Sequence, residues 1–194
     1  MFTKLITVFA LFSVAALPAA SRNLEIYWID AEGGAATLIV APSGESMLVD
    51  TANRTQDDRD AKRILAAAQQ AGLKKIDILL TTHFHSDHIG AMPALSKLIP
   101  IGMYMDHGET VELARPQVAA SYKAYEELSA GKRKILKPGD RIPLKGVEIE
   151  VVMSAGQVIA KALKGGGAKN AACADFKEHA AEPDPDNDQS VGFV

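Results

Sequence analysis

The sequence predicts an α/β fold, and three observations carry that reading. Short apolar runs rich in β-branched residues alternate with stretches whose apolar residues keep helical spacing. A histidine-rich segment follows one such run directly, where a strand hands over to a helix. The chain is also of one-domain size, with 194 residues, 47% of them hydrophobic and 23% charged. That apolar fraction supports a core and excludes a disordered chain. A formal net charge of −3 offers no basic footprint for nucleic acid. A single cysteine excludes an intrachain disulfide framework and a Cys-based zinc knuckle.

Taken in order, the chain first shows a segment that stands apart from the fold. In residues 1–21, Lys4 precedes an apolar run from Leu5 to Leu17, and small residues follow at Ala19, Ala20 and Ser21. This is the three-part pattern of a secretory signal peptide, and its run is shorter than the roughly 20 residues of a membrane span. The expected products are a signal peptide, 1–21, and a domain, 22–194, placed in the periplasm or outside the cell. An uncleaved N-terminal anchor is the alternative. No later stretch could span a bilayer. In an oxidising compartment the lone Cys173 is either a small buried apolar residue or a thiol without a partner.

Leu24–Ile29, Ala36–Val40 and Ser46–Asp50 read as strands of a meander, separated by Gly33-Gly34 and by Pro42-Ser43-Gly44. A helix follows, with Thr55 and Asp58 spaced as a capping box. Its apolar face is Ala61, Ile64, Leu65, Ala68 and Ala71, and Gly72 stands as its C′ residue. Ile76–Thr81 is a strand. Met92, Leu95, Leu98 and Ile99 form a short helical face ended by Pro100, and Ile101–Met105 is the next strand. A longer helix starts near Arg115-Pro116 with Val118, Tyr122, Tyr125 and Leu128 on one face, and Gly131 stops it. Those tyrosines read as core. Val147–Met153 alternates as a half-buried strand. Residues 154–189 are loop-like, with Gly165-Gly166-Gly167 inside them, and Ser190–Val194 reads as a last strand.

The chemistry is concentrated in Thr82-His83-Phe84-His85-Ser86-Asp87-His88. In extended chain, side chains two apart point the same way. His83 and His85 can therefore grip one metal ion while Phe84 turns to the core. Ser86 lets the chain bend, so that Asp87 and His88 project beside them toward a second ion. Imidazole nitrogen and carboxylate oxygen suit zinc, and also iron or manganese. The C-terminal end of a strand is where α/β folds place their sites. Gly90 would let the following backbone pack close. The competing reading is a chance histidine cluster on a surface loop.

This segment resembles the HxHxDH signature of the metallo-β-lactamase superfamily. Leu48-Val49-Asp50-Thr51 resembles the family's strand-end Asp motif, with Ala52 where a Gly is usual. Trp28-Ile29-Asp30 through Gly33-Gly34, and Asn187-Asp188-Gln189-Ser190-Val191, resemble the branch related to the metal-hydrolase domain of competence DNA-uptake proteins. The resemblance implies an αββα sandwich of two similar halves. It implies that His83 and His85 bind the first of two zinc ions, and Asp87 and His88 the second. A metal-bound hydroxide would then attack an ester, amide or phosphodiester. Asp87 would orient it and pass a proton to the leaving group. Asp50 would hold the histidine loop, or else be a plain turn-forming Asp. The substrate is a small molecule or phosphodiester, the branch leaning to the latter.

Two departures qualify the resemblance. The family's third histidine has no counterpart in Ser154-Ala155-Gly156-Gln157, as is common in the competence branch. The family's later carboxylate and histidine motifs would lie past Val194, so the second half of the sandwich is expected to be incomplete. The hydrolase reading is therefore that of a fragment of low activity. The alternative is a catalytically inactive truncated domain with a half-built metal site. A di-iron redox member is disfavoured, because His85 stands where that branch departs from the motif. His107 either reaches the same sheet edge or is a plain loop histidine, and His179 reads as solvated. Lys132-Arg133-Lys134 with Lys137 reads as a solvated helix end or as a patch that steers an anionic substrate.

Overall fold

Five of the short apolar runs and one basic segment pair into one sheet in the order in which they occur. The computed structural model describes residues 23–177 and 184–194, so the signal-peptide reading and His179 lie outside the described residues. β1 (Glu25–Trp28), β2 (Thr37–Val40) and β3 (Ser46–Val49) form an antiparallel meander. β4 (Ile76–Leu80), β5 (Ile101–Asp106) and β6 (Arg133–Ile135) then add in parallel, giving the order β1-β2-β3-β4-β5-β6. The change of direction follows from the connections. Parallel neighbours need a crossover, and helices supply it. These are α1 (Arg59–Gln70), the pair α2 (Ser86–Ile89) and α3 (Met92–Leu98), and α4 (Pro116–Ser129). A second sheet holds β7 (Val151–Ser154) between β8 (Gln157–Val158) and β9 (Gly192–Phe193), all antiparallel.

The period-two alternation of strand side chains divides the core into two. Leu48, Leu79 and Tyr104 face the helices, where Ile64, Leu95 and Tyr125 meet them. Met47, Ile78, Leu80 and Met105 face the other way, against Val151 of the second sheet and Val191 just before β9. Strands β3 and β4 are thus apolar on both faces, as central parallel strands must be. The described residues stack as helices, six-stranded sheet and three-stranded sheet. This is the α–β–β part of the expected αββα sandwich, with the second sheet the smaller.

Several local expectations shift. Helix α1 begins at Arg59, not inside a capping box: Asp58 sits before it at φ 54° with no side-chain cap. Thr55 instead reaches in from outside, its Oγ1 accepting the Arg59 amide at 2.7 Å. Gly72, at φ 74°, ends the helix as expected. The alternating run from Val147 is not all strand. Ile142 donates to Ile149 O at 3.1 Å, so residues 142–149 fold back as an arm; Glu150 bridges Arg141 and pairs with Val194, and β7 itself begins at Val151. Tyr122 and Tyr125 are core, whereas Leu98 and Leu128, at the ends of their faces, are 45% and 37% exposed. Cys173 is exposed rather than buried.

Arg133 is the largest correction to the basic cluster. It begins β6 and turns inward to Asp106 at the end of β5, donating from Nε to Oδ2 at 2.7 Å and from Nη2 to Oδ1 at 2.9 Å. Tyr125 donates to the same carboxylate at 2.8 Å. Asp106 is fully buried, so a two-pronged charge partner and a phenol satisfy it where water cannot.

Candidate metal centre

The histidine segment leaves the end of β4 and is fastened from four directions. Thr82 donates its amide to Asp50 Oδ1 and its hydroxyl to Oδ2, both at 2.8 Å. The Phe84 amide donates to Asp186 Oδ2 at 2.7 Å. Val191 donates to Thr82 O at 3.0 Å, and Ala35 to Asp87 O at 3.0 Å. Two glycines allow the tight approach. A Cβ on Gly34 would stand 2.6 Å from Asp87 O, and one on Gly90 would stand 2.4 Å from the Arg54 amide. Ala52 holds φ 60°, a left-handed conformation that accounts for the glycine usual in that motif.

With its backbone pinned, the segment splits its side chains as extended chain should. Phe84 is fully buried among Tyr122, Tyr125 and His107. The His83 ring lies 4.8 Å from that of His85 and 3.9 Å from that of His88, centroid to centroid. The structure therefore brings all three imidazoles together. Asp87 adjoins them, its Oδ2 3.6 Å from His88 Nε2 with the side chain 43% exposed.

Each ring has one nitrogen engaged and one left over. His83 is 3% exposed, and its Nδ1 faces Thr82 Oγ1 at 3.2 Å and Ser190 Oγ at 3.4 Å. Its Nε2 is buried with no hydrogen-bond partner. A buried orphan nitrogen is costly and rare, and it is what a ligand position looks like without its ion. Burial and the neighbouring imidazoles of His88 and His85 push His83 down to about 4. The ring is thus neutral at neutral pH, the form that binds a metal. His88 gives Nδ1 to Asp50 Oδ2 at 2.7 Å, which leaves its Nε2 toward Asp87. Burial alone would lower His88, but the hydrogen bond and charge of Asp50 outweigh it and hold the ring above its usual value. Burial pushes the Asp50 carboxyl up, against the hydrogen bonds from His88 and Thr82. His85 Nε2 lies 2.8 Å from Glu112 Oε2, so Nδ1 is its remaining nitrogen. Nitrogen donors with one adjacent carboxylate suit zinc, and the residues present fit such an ion.

The comparisons with known proteins agree with this geometry. Residues 29–161 match the family model of the metallo-β-lactamase superfamily. The chain belongs to the metallo-β-lactamase superfamily. Among curated relatives, a UPF0173 metal-dependent hydrolase of Cupriavidus necator is 37% identical over 84 residues, 43% of this chain and 27% of that protein. A second, of Cupriavidus metallidurans, is 36% identical over 80 residues, 40% of this chain and 24% of that one. The chain spans about a quarter of the length of these relatives. Among solved structures, the native FEZ-1 metallo-β-lactamase of Legionella gormanii superposes with a TM-score of 0.50 at 20% identity. That match covers 69% of this chain and 51% of the other, and it shows the fold alone.

Within this superfamily fold, the remaining expectations separate. Asp50 is the carboxylate that ties the histidine loop, not a simple turn former. The Asn187–Val191 motif lies alongside the loop through Ser190 and Val191. The turn at Ala155 and Gly156, where the third histidine is absent, has φ 51° and 69° and carries no donor. His107 does reach the same sheet edge, directly after β5, but as a core residue: it is 4% exposed against Phe84, its Nε2 3.9 Å from Asp186 Oδ2. Burial lowers its pKa.

Two acidic residues escaped sequence reasoning. Asp186, fully buried, accepts from Phe84, from Thr110 Oγ1 at 2.7 Å and from the Val111 amide at 3.3 Å. Glu112 touches His85. Asp186 comes from the stretch read as loop-like, and Glu112 from the segment between β5 and α4 to which no element was assigned. The one available signal was that Glu112 follows β5, the parallel neighbour of the strand that bears the histidines. His85, Glu112 and Asp184 also present ligand atoms within 4.8 Å of one another. Beside them a cleft of about 430 Å³ is lined by His85, Ser86, Asp87, Arg115, Gln117 and Ser121.

Proposed function

We propose that the chain is the metal-binding part of an exported, zinc-dependent hydrolase that cleaves an ester, amide or phosphodiester. One observation carries this reading: three imidazoles from one loop, each with one nitrogen held and one free, including a buried orphan on His83. His83 Nε2, His85 Nδ1, His88 Nε2 and the Asp87 carboxylate would hold zinc, two ions in the full site. When bound, zinc makes a water acidic enough to attack at neutral pH and draws charge from the scissile group. The chain's own residues supply the rest. Asp50 keeps His88 turned so that Nε2 faces inward. Asp87, half exposed beside that nitrogen, takes the proton of the attacking water on a carboxylate oxygen and returns it to the leaving group.

The cleft seats the substrate. Arg115 stands on its wall with Nη1 already paired to Glu112, so the leaning to a phosphodiester rests on the branch resemblance. Export rests on the pattern of residues 1–21. Among the described residues no helix is long and apolar enough to cross a membrane.

The test is metal content and turnover of the purified protein. Zinc should co-purify, and a chelator should abolish hydrolysis of a chromogenic phosphodiester. His83→Ala should weaken zinc binding by more than about 100-fold with the circular dichroism spectrum unchanged. A folded protein that binds no zinc at neutral pH overturns the reading. Full zinc without turnover on phosphodiester, ester or amide leaves a metal-binding domain and removes the hydrolase.

A further inference from the structure

Asp50 orients His88, and the structure contains a second carboxylate in the same relation to a different histidine. Glu112 is 7% exposed and sits in the loop after β5, its Oε2 2.8 Å from His85 Nε2. Its position is built rather than incidental. Arg115 Nη1 donates to Oε1 at 2.9 Å and to Oε2 at 3.0 Å, and the Glu112 amide donates to Thr110 Oγ1 at 3.2 Å. Thr110 in turn donates to the buried Asp186, which also holds the Phe84 amide next to His85. The carboxylate is therefore fixed at both ends, and through Asp186 its loop shares an anchor with the histidine segment.

We propose that Glu112 is a positioning residue that selects the tautomer of His85. A carboxylate oxygen beside a guanidinium only accepts hydrogen bonds, so His85 must donate from Nε2. A neutral imidazole carries one N–H, so Nδ1 is left with its lone pair. His85 is thereby presented to the metal through Nδ1, while His83 and His88 present Nε2. This assignment rests on the metal-centre reading above. Without Glu112 the ring could rotate, and either nitrogen could carry the proton.

Direct coordination is the competing role, since Asp184 lies within 4.8 Å of both partners. The contacts disfavour it. Both Glu112 oxygens already face Arg115, and an ion there would have to displace a cation. Asp184 is exposed, and its carboxylate accepts a hydrogen bond from Asn187 Nδ2.

Two measurements test the proposal, and the first needs no metal. Imidazole nitrogen chemical shifts of the metal-free protein should show His85 as the Nε2–H tautomer. Glu112→Ala should move it to a mixture, while Glu112→Gln, whose amide oxygen still accepts, should restore the wild-type form. An unchanged tautomer in Glu112→Ala overturns the proposal even if metal binding proves real. The second measurement is cobalt affinity and the visible spectrum of the cobalt-loaded protein. Glu112→Ala should lose about 10–100-fold in affinity with an unaltered spectral envelope, and Glu112→Gln should recover most of the loss. A changed envelope identifies Glu112 as a ligand and refutes the positioning role. A wild-type protein that binds no cobalt refutes the metal-centre reading instead, and the tautomer result still stands or falls alone.

Discussion

The six-stranded sheet and the C-terminal segment that ends in β9 contribute to the site in opposite ways. The sheet supplies the ligand-bearing loop: β4 is apolar on both faces, and His83, His85, Asp87 and His88 follow within a few residues of its end. The C-terminal segment supplies no candidate ligand from its strand, and β9 itself is only Gly192–Phe193. It supplies fastening, through Asp186 to Phe84, Ser190 to His83 and Val191 to Thr82. Ligand identity is thus local, whereas ligand orientation depends on contacts up to 107 residues apart. A loop can place donors near one another on its own, but it cannot choose which nitrogen each ring shows.

The sharpest way to separate the two contributions is to break a buried carboxylate in each. Asp106→Ala, in β5, leaves the Arg133 guanidinium partly buried without its partner and should destabilise the fold by about 3–5 kcal/mol by denaturant titration. Metal affinity of the remaining folded protein should stay near wild type, since Asp106 touches no candidate ligand. Asp186→Ala, in the C-terminal segment, leaves the Phe84 amide and the Thr110 hydroxyl unsatisfied. It should cost about 1–3 kcal/mol. Unlike Asp106→Ala, it should also weaken zinc binding, because the histidine loop loses an anchor. Equal effects of both variants on metal affinity would dissolve the distinction.

Asp50→Asn tests orientation inside the sheet region. The amide keeps an acceptor for the Thr82 amide but loses the charge beside His88, so zinc affinity should fall about 10–100-fold in a chelator competition. The smallest expected effect lies away from the loop, at Asp77. Burial alone would raise its carboxyl, but the Lys75 ammonium and the Ser46 amide and hydroxyl hold it below 3.8. Its stabilising contribution is therefore full above pH 3.8 and is lost as pH falls through the lower folded value. Asp77→Asn should flatten the acid limb of the stability curve there, with zinc binding at neutral pH unchanged.

Much of the fold was legible because its signals are periodic. The meander, α1, β4, β5 and α4 show in the spacing of apolar residues, and Gly72 marks its helix end by a backbone conformation that glycine adopts readily. β6 was not legible. Lys132-Arg133-Lys134 looks solvated until Asp106 is seen to be buried opposite Arg133, and a charge pair leaves no periodic trace. The same holds at the site. Asp50 showed through its motif, whereas Glu112 and Asp186 stand in irregular loops with no pattern to mark them.

The sequence by itself determined the α/β class, the histidine cluster and which side chains flank the buried Phe84, because two-residue alternation and strand-to-helix punctuation are local properties. Only the tertiary structure decided which nitrogen of each imidazole is free. That choice is made by Asp50 for His88, Glu112 for His85, and Thr82 with Ser190 for His83. Three of those four partners come from other strands and loops of the chain, so the choice exists only once the chain has folded.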